Sequence, residues 1–316
     1  MKKAFEKLNL RDYGVLLGFL ALCIAISVAT PSFLGKQNIL NLLRQSSIIG
    51  IISAGMTFVI ISGNFDISVG AVAALAGAIT MKFATGGTNL FVSMLLGIAI
   101  CAVIGLINGI VVAKINVPSL IATMAMVTIV RGLLLMLTGG YPITENIPIL
   151  DYIGNGYLFN IPIPVVIFFI VVLVAFIVLN KTKFGRYVYS VGGNQEASKL
   201  NGINVDFHKI KVFIINAVLA GIAGIVLTGR LGTATAIAGE GYDMDAIASV
   251  VIGGTSVAGG SGSVLKTVIG VLLMSVINNS FNLLGIDVYF QYIFKGLIIL
   301  AAVGFDSYSK KKLASR

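Results

Sequence analysis

The sequence predicts an all-α membrane protein with about ten transmembrane helices. Hydrophobic residues make up 57% of the 316 residues, charged residues make up only 11%, and the mean hydropathy is +1.01, whereas soluble domains contain roughly 25% charged residues. A transmembrane helix needs about 20 mostly apolar residues. Ten segments meet this condition, at about residues 14–30, 41–62, 66–82, 90–113, 117–138, 162–180, 210–229, 243–259, 264–284 and 288–305. They occupy nearly the whole chain, so we expect one transmembrane domain over residues 1–316 and no separate soluble catalytic domain.

The basic residues follow this predicted topology. Of the 22 Lys and Arg residues, 14 lie in an N-terminal tail, in a polar loop between Asn180 and Lys211, and in a C-terminal tail. The positive-inside rule places all three segments in the cytoplasm, which requires an even number of spans between them; six spans followed by four satisfy this. The longest external connection, Gly139–Ile161, contains Glu145 and Asp151 but no Lys or Arg. We therefore expect both termini in the cytoplasm, and we attribute the net charge of +10 to topology rather than to binding of nucleic acid.

The first 30 residues allow a second interpretation, as a signal peptide. They combine a basic start with an apolar run from Val15 to Ala25 and with small residues at Ser27 and Ala29, as signal peptides do. Removing them would break the parity of the spans. A retained first helix is therefore favoured.

Cysteine and histidine usage gives no support to metal or nucleophile chemistry. Cys23 and Cys101 both fall within predicted spans, and the single histidine, His208, stands at the edge of a predicted helix without a companion ligand. We therefore expect no disulfide, no metal site and no cofactor. A membrane hydrolase would need a nucleophile with a base or a metal cluster, so this class is disfavoured.

Many of the 37 glycines lie inside the spans. Gly105–Gly109 is a G-x-x-x-G pair, and Ala217–Gly221 and Ala73–Gly77 repeat the spacing with small residues, which lets helices approach closely. Tight packing within one bundle is favoured, and dimerisation through one of these faces is the alternative.

Two segments, Ser62–Gly70 and Gly239–Gly262, are less hydrophobic and more broken than the others. Each places an acidic residue ahead of a short helix rich in small residues, and the two run in opposite directions in the predicted topology. Such an inverted repeat often marks the substrate path of a transporter, although two glycine-rich helices can also resemble each other by chance. In the first segment we expect Asp66 to cap the third span.

Polar side chains within spans are candidates to face the protein interior or a water-filled path. The candidates for a translocation path or gate are Asp66, Ser68, Asn108, Asn278 and Asn279. Asn216 and Arg131 are further polar residues in spans. Arg131 can equally extend to the membrane surface or form a structural pair.

The polar loop contains a short predicted helix at Asn194–Gly202. Asn194 is a favourable N-cap, Glu196 suits the first turn, Lys199 suits the last, and Gly202 fits just beyond the C-terminus. A helix of about two turns is marginal alone in water. It is therefore expected to dock, either on a partner or on its own bundle.

Four stretches, Gly63–Gly70, Gly185–Val205, Gly241–Gly262 and Asn278–Gly285, resemble the permease subunits of ribose-type ABC importers for monosaccharides. The resemblance extends in order over essentially the whole chain. It implies a type II importer in a prokaryotic cytoplasmic membrane: a homodimer of ten-span permeases, two cytoplasmic ATPase domains and an extracytoplasmic sugar-binding protein. Residues 1–316 would then form a single permease domain, with a cytoplasmic coupling loop at about residues 181–209 and with ribose or a related sugar as cargo.

The resemblance also assigns coupling to the ATPase to the short helix of the polar loop. The residues concerned are Asn194, Gln195, Glu196, Ala197, Ser198, Lys199 and Gly202. Glu196-Ala197-Ser198 matches the E-A-A motif of other importers only loosely, which argues against a maltose-type architecture. The first motif departs from its usual form at Asn64-Phe65, and we infer no altered substrate from this.

Three classes of function compete: the passive permease of an ATP-driven importer, a self-contained ion-coupled transporter of a small polar solute, and an integral membrane enzyme. The chain contains no G-x-x-x-x-G-K-[ST] motif and so no P-loop ATP site of its own, as the first class predicts. An ion-coupled carrier needs a buried carboxylate or histidine relay. Only Asp66 and the pair Asp243 and Asp245 are available for that role near the membrane.

Three basic residues lie near the outer membrane surface in the predicted topology: Lys36, Lys82 and Arg230. Their position opposes the positive-inside trend. We expect them to meet acidic residues of a binding protein, a contact that acts mainly on the association rate. Binding of lipid headgroups is the alternative.

Overall fold

The computed structural model describes the backbone of residues 10–314 and the side chains of residues 17–304. This part of the chain contains thirteen α-helices, one 3₁₀-helix and four strands of two residues, which confirms the all-α prediction. The helices are α1 Leu10–Ala29, α2 Lys36–Ile61, α3 Val69–Thr85, α4 Leu90–Ala113, α5 Ser119–Thr138, α6 Pro148–Asn155, α7 Ile163–Lys181, α8 Lys183–Gly193, α9 Gln195–Leu200, α10 Val205–Leu231, α11 Tyr242–Ile252, α12 Val264–Leu283 and α13 Val288–Ala314. The 3₁₀-helix is Pro31–Leu34, and the strands are β1 Ile143–Thr144, β2 Tyr157–Leu158, β3 Ile161–Pro162 and β4 Thr233–Ala234.

In the described part of the chain, six helices are long and apolar enough to cross a membrane, namely α2, α4, α5, α7, α10 and α12. Shorter apolar helices cover Leu17–Ala29, Val69–Thr85 and Val288–Gly304. Helices therefore form at nine of the ten predicted spans, close to the predicted bounds.

The eighth predicted span, residues 243–259, is wrong in length. The helix α11 ends at Ile252, and the chain then turns repeatedly over residues 253–263. Gly254 adopts φ +86°, a conformation that glycine reaches without the strain a side chain brings. The 11 residues of α11 extend only about 16 Å, roughly half the hydrocarbon thickness of a bilayer.

The centre of the bundle is formed by α2 and α10. Every residue of α2 from Ser46 to Ile61 is buried, and α10 packs against α2, α3 and α4. Backbones approach closely here, since a Cβ at Gly224 would lie 1.8 Å from the carbonyl oxygen of Ala73, and a Cβ at Gly105 would lie 2.6 Å from that of Phe213. The small-residue spacing therefore serves packing within one chain, as favoured from the sequence.

Apolar side chains on α4, α5 and α7 point away from this centre. Phe91, Ile121 and Phe169 are exposed on these three helices. Helices that are apolar on their outer faces suit contact with lipid.

The bundle has two opposite ends. We call the end that carries α8 and α9 the loop face, and the end that carries α6 and the strands the opposite face. There β1 pairs with β4, and β2 pairs with β3, both antiparallel. The sequence pattern predicted α9 but neither α6 nor α8, although Thr182 caps α8 by accepting a hydrogen bond from the Gly185 amide at 3.1 Å.

Two helices begin inside the bundle rather than at one of its faces. The helix α2 ends on the loop face, residues 62–68 enter the bundle without helical structure, and α3 continues to the opposite face. The helix α10 ends on the opposite face, residues 232–241 return into the bundle, and α11 runs to the loop face. The two arrangements are related by inversion, in agreement with the inverted repeat predicted from the sequence.

The starts of α3 and α11 meet at one depth. A Cβ at Gly70 would lie 2.3 Å from the carbonyl oxygen of Gly239. Depth can be measured from the opposite face, where α10 ends at Leu231. Gly224 lies two helical turns before that end and contacts Ala73 of α3. Gly70 lies about one further turn into the bundle. At 1.5 Å per residue, Gly239 lies about 15 Å deeper than the end of α10. Both half-helices therefore begin near the middle of the bundle.

Candidate functional site

A buried polar cluster surrounds Asp66 where the segment 62–68 enters the bundle. The Oδ1 of Asp66 accepts hydrogen bonds from the amide and the hydroxyl of Ser68 at 2.9 and 2.6 Å, and its Oδ2 accepts one from the Asn216 amide group at 2.9 Å. The Asn108 amide group donates to the Ser68 hydroxyl at 3.1 Å. These bonds join the start of α3 to α4 and α10.

The expected capping role of Asp66 is wrong in detail. The helix α3 begins at Val69, its N-cap is Ser68, and no side chain caps its first turn. The carboxylate instead accepts a hydrogen bond from the amide of Ser68, the N-cap residue. Asp66 lies two residues before this N-cap, and its carboxylate therefore does not reach the amides of the first helical turn.

A second polar cluster joins α11, α12 and α13. The Lys295 ammonium lies 3.0 and 3.1 Å from the two carboxylate oxygens of Asp245, and the Asn278 amide group donates to the same carboxylate at 3.4 Å. The next residue, Asn279, exchanges hydrogen bonds with Asn38 of α2 at 2.8 and 3.0 Å. Lys295 was missed in the sequence, although a lone lysine inside an apolar span is a signal that could have found it.

A cavity of about 490 Å³ lies where the two half-helices begin. Its wall includes the side chains of Arg131, Glu240, Asp243 and Tyr292 and the backbone of Gly70. The described wall includes none of the five path candidates, which the structure places in the two buried clusters. Their role in the path stays a prediction.

Arg131 anchors the segment that forms one side of this cavity. It lies on α5 about 10 Å before the end of that helix, and its guanidinium donates to the carbonyl oxygens of Ala236 and Ala238. Of the two roles left open for Arg131, the structure therefore shows the structural pair. Glu240, in the same segment, is exposed, and its carboxylate makes no hydrogen bond within the described residues.

The coupling-helix candidate α9 has the capping predicted from its sequence. The Asn194 side chain accepts a hydrogen bond from the Ala197 amide at 2.9 Å, Glu196 lies in the first turn, Lys199 lies in the last, and Gly202 adopts φ +77° beyond the end. A left-handed residue at this position is the usual way for a helix to end.

One side of α9 packs on its own chain and the other side is open. The hydroxyls of Ser190 and Ser198 lie 2.9 Å apart, and the Lys209 ammonium donates to Gln195 at 2.9 Å. On the open side, Leu200 is 90% exposed. The open side of α9 is therefore accessible to a partner.

The helix α8 touches both broken segments on the loop face. A Cβ at Gly192 would lie 1.7 Å from the carbonyl oxygen of Ile61 and 2.7 Å from the amide nitrogen of Gly260. The Tyr189 hydroxyl donates to the carbonyl oxygen of Gly262 at 2.9 Å. Burial raises the pKa of Tyr189, so the phenol stays protonated and keeps this bond.

The three candidates for docking a binding protein lie at the opposite face. Lys36 and Lys82 are exposed, and the Lys82 ammonium donates to the carbonyl oxygen of Leu137 at 2.9 Å. Arg230 is half-buried at the end of α10. Their role stays a prediction, and Arg230 is the least accessible of the three.

The remaining reactive residues lie apart from one another. Cys101 is buried in the bundle, Cys23 is half-buried, and both are free thiols. His208 stacks on Phe184 with ring centres 5.8 Å apart. Among the described residues, no group of three or more His, Cys, Asp or Glu residues is placed to hold a metal ion.

Known proteins similar to this chain are membrane permeases. Residues 38–303 match the family model described as the permease component of the branched-chain amino acid transport system. The chain is 44% identical over 303 residues to the ribose import permease protein of Haemophilus influenzae, covering 93% of this chain and 94% of the relative. It is 42% identical over 300 residues to the ribose import permease protein of Bacillus subtilis, covering 94% and 93%. It is 35% identical over 300 residues to the L-arabinose transport system permease protein of Escherichia coli, covering 95% and 92%. No solved structure matches the chain significantly.

Proposed function

The chain belongs to the family of branched-chain amino acid transport system permease components, and from this premise we propose that it is the membrane subunit of an ATP-binding-cassette importer for ribose or a related monosaccharide. The observation that carries the proposal is the near full-length similarity to two ribose permeases at 44% and 42% identity, against 35% for the arabinose permease. The chain is a permease rather than an enzyme. ATP hydrolysis belongs to a separate subunit.

The loop face is the docking surface for that ATPase. Its short helix α9 is capped, packs on the bundle through Ser198, and presents Leu200 to solvent. Burying the exposed Leu200 side chain against a partner removes its apolar surface from water, which is favourable. The loop face is therefore cytoplasmic, which agrees with the basic residues of the polar loop and places both chain termini in the cytoplasm.

A second copy of the chain covers the cavity at the start of the half-helices. Arg131, Glu240 and Asp243 are charged groups at membrane depth that line an open cavity. A charged side chain at the bilayer centre costs about 2.5–3.5 kcal/mol even on the mildest scale, so these groups avoid lipid. Two copies with their cavities facing each other enclose a polar path between them.

The opposite face receives the sugar-binding protein. It carries the exposed Lys36 and Lys82, while Glu145 and Asp151 lie in the connection between α5 and α7. Mixed charges at a rim suit a contact whose association is steered electrostatically. Sugar enters from this face, and closure of the ATPase dimer moves α8 and α9 to switch the path.

The cargo is tested with the purified partners. Thermal-shift screening of the cognate binding protein against pentoses, hexoses and polyols identifies the sugar, and uptake into proteoliposomes with the permease and its ATPase follows. We expect ATP-dependent uptake of ribose or a related sugar that requires the binding protein. Uptake that continues without the ATPase and stops when the ion gradient is dissipated would instead establish the ion-coupled alternative.

A further inference from the structure

We propose that the cavity bordered by Arg131, Glu240, Asp243 and Tyr292 is a transit site that binds the sugar briefly on its way through the membrane, and that it selects neutral rings over anionic ones. The inference rests on the proposed function, because it names the class of cargo that this cavity accepts. It assigns the permease itself a share in selection, beyond that of a binding protein.

The position of the cavity suits a transit site. It lies where the inverted half-helices α3 and α11 begin, about 15 Å below the opposite face. Its volume of about 490 Å³ falls within the range of roughly 300–1,000 Å³ that is usual for small-molecule pockets. Broken helices that start at mid-depth are also where transporters form substrate sites.

The side chains around the cavity match the surface of a sugar. The carboxylates of Glu240 and Asp243 accept hydrogen bonds from hydroxyl groups, and a guanidinium donates them. The Arg131 guanidinium already donates hydrogen bonds to the carbonyl oxygens of Ala236 and Ala238. Hydrogen-bond acceptors therefore predominate among the charged groups that remain available to a sugar in the cavity. The exposed ring of Tyr292 offers an apolar surface for the C–H face of the ring.

The charge of the wall gives the selectivity. One guanidinium and two carboxylates leave the described wall with an excess of one negative charge. The low-dielectric protein around the cavity focuses the field of this charge, which repels a sugar phosphate or a sugar acid. A neutral sugar is not repelled, and it binds weakly enough to leave, as conduction through a path requires.

The first test measures sugar moved per ATP hydrolysed. Proteoliposomes contain the complete importer with loaded binding protein and either wild-type permease or one of the variants Glu240→Gln and Asp243→Asn. We expect sugar moved per ATP to fall about tenfold, since each variant removes a charged acceptor, while stimulation of the ATPase by the loaded binding protein remains. The matched control is Asp287→Asn, which removes an exposed carboxylate outside this cavity and leaves an oxygen that can still accept the hydrogen bond from the Tyr289 amide. An unchanged ratio in both cavity variants overturns the proposal.

The second test asks whether the cavity holds water and sugar. In a Cys23→Ser, Cys101→Ala background, Ile237→Cys places a thiol at a cavity residue that is 72% exposed, and Leu133→Cys places one at an exposed position of α5 outside it. A charged thiol reagent should label the first thiol and not the second. Ribose at high concentration should protect the first thiol, and ribose 5-phosphate should not.

The outcomes separate this inference from the proposed function. An unlabelled thiol at position 237, or a labelled thiol that ribose does not protect, overturns the transit site even when wild-type permease imports ribose. Equal protection by the phosphate overturns the charge selection. A wild-type importer that moves no monosaccharide at all contradicts the proposed function instead.

Discussion

The amide of Gly260 donates a hydrogen bond to the carbonyl oxygen of Ile61 at 2.9 Å. This bond ties the turns after α11 to the end of α2, where the other broken segment begins. Gly192 of α8 lies against the same two groups. The loop face thus has one point at which a displacement of α8 and α9 reaches both half-helices, and through them the central cavity.

A side chain at this point should uncouple the importer. We expect Gly192→Ala to lower sugar uptake at least about tenfold, because its Cβ would stand 1.7 Å from the Ile61 carbonyl oxygen and backbone atoms cannot yield as a flexible side chain can. Gly193→Ala is the matched control, since a Cβ there comes no closer than 3.9 Å, to Gly260. Sugar uptake is measured with the two variants present in the membrane in equal amounts, and equal uptake by both would contradict the role of Gly192.

The exposed side chain of α9 should matter only to the assembled importer. We expect Leu200→Asp to weaken co-purification of the ATPase and to lower uptake while the thermal stability of the isolated permease stays unchanged, because Leu200 is 90% exposed. Phe159→Asp is the control, with equal exposure on the opposite face. Loss of the ATPase in both variants, or in neither, would refute this docking surface.

Charge changes on the same helix provide a second measure of coupling. We expect Glu196→Lys and Ala197→Asp to lower transport and ATPase co-purification, because both change the charge of the proposed docking helix. Expression should persist, because Asn194 still caps α9 in both variants. Membrane expression and uptake are measured together. Normal uptake with both substitutions would remove the coupling role of α9.

How much of this the sequence predicted depends on the kind of contact. Hydropathy located helices at nine of the ten predicted spans, and the capping pattern located α9, because apolar runs and caps are local in sequence. The family resemblance, carried by four local motifs, is confirmed by the near full-length similarity to two ribose import permease proteins and by the permease family model matched over residues 38–303. The helix α8 was missed because Gly192 and Gly193 read as a loop, and its contacts with Ile61 and Gly260 join backbone atoms that leave no side-chain pattern.

The polar sites were predicted only in part, for the same reason. Asp66 and Asn278 were expected to matter, and both are buried and hydrogen-bonded. Their partners, Asn216 for Asp66 and Asp245 for Asn278, lie 150 and 33 residues away in sequence, so spacing could not pair them. Arg131 bonds to backbone carbonyls, which any residue provides, and no sequence signal could have revealed its place beside the cavity.

The ion pair between Lys295 and Asp245 should behave as a buried pair. Removing one partner leaves the other charge without compensation, which in buried pairs costs about 3–5 kcal/mol, and less here because Lys295 is partly exposed. We expect Lys295→Met to lower the Tm of the purified permease and the double variant Lys295→Met, Asp245→Asn to restore most of it. A double variant as unstable as the single one would show that Lys295 acts through packing rather than through its charge.

The basic residues of the opposite face should act on the rate at which the binding protein associates with the permease. We expect replacement of Lys36, Lys82 and Arg230 by Gln to slow stimulation by the binding protein at low salt and to have little effect at high salt, where surface charges are screened. Stimulation of the ATPase is measured against binding-protein concentration at both ionic strengths. Unchanged kinetics at low salt would favour lipid headgroups as their partners.

Asp66 separates the importer from an ion-coupled carrier. Its carboxylate accepts three hydrogen bonds inside the bundle, two from Ser68 and one from Asn216. The side-chain amide oxygen of Asn216 has no partner among the described residues. In Asp66→Asn the new carbonyl oxygen can keep the Ser68 bonds, and Asn216 can turn its own oxygen toward the new amide group. We therefore expect Asp66→Asn to keep most of the uptake.

Asp66→Ala removes every side-chain acceptor at this position and leaves buried donors without partners. Each unsatisfied donor lowers the free energy of unfolding by about 1–3 kcal/mol. We expect this variant to lose stability and uptake together. In an ion-coupled carrier the Asn variant would be as inactive as the Ala variant, because an amide cannot take up and release a proton. Uptake of both variants, normalised to folded protein in the membrane, decides between the two: an Asn variant that folds normally and transports nothing would contradict a structural Asp66 and favour the carrier.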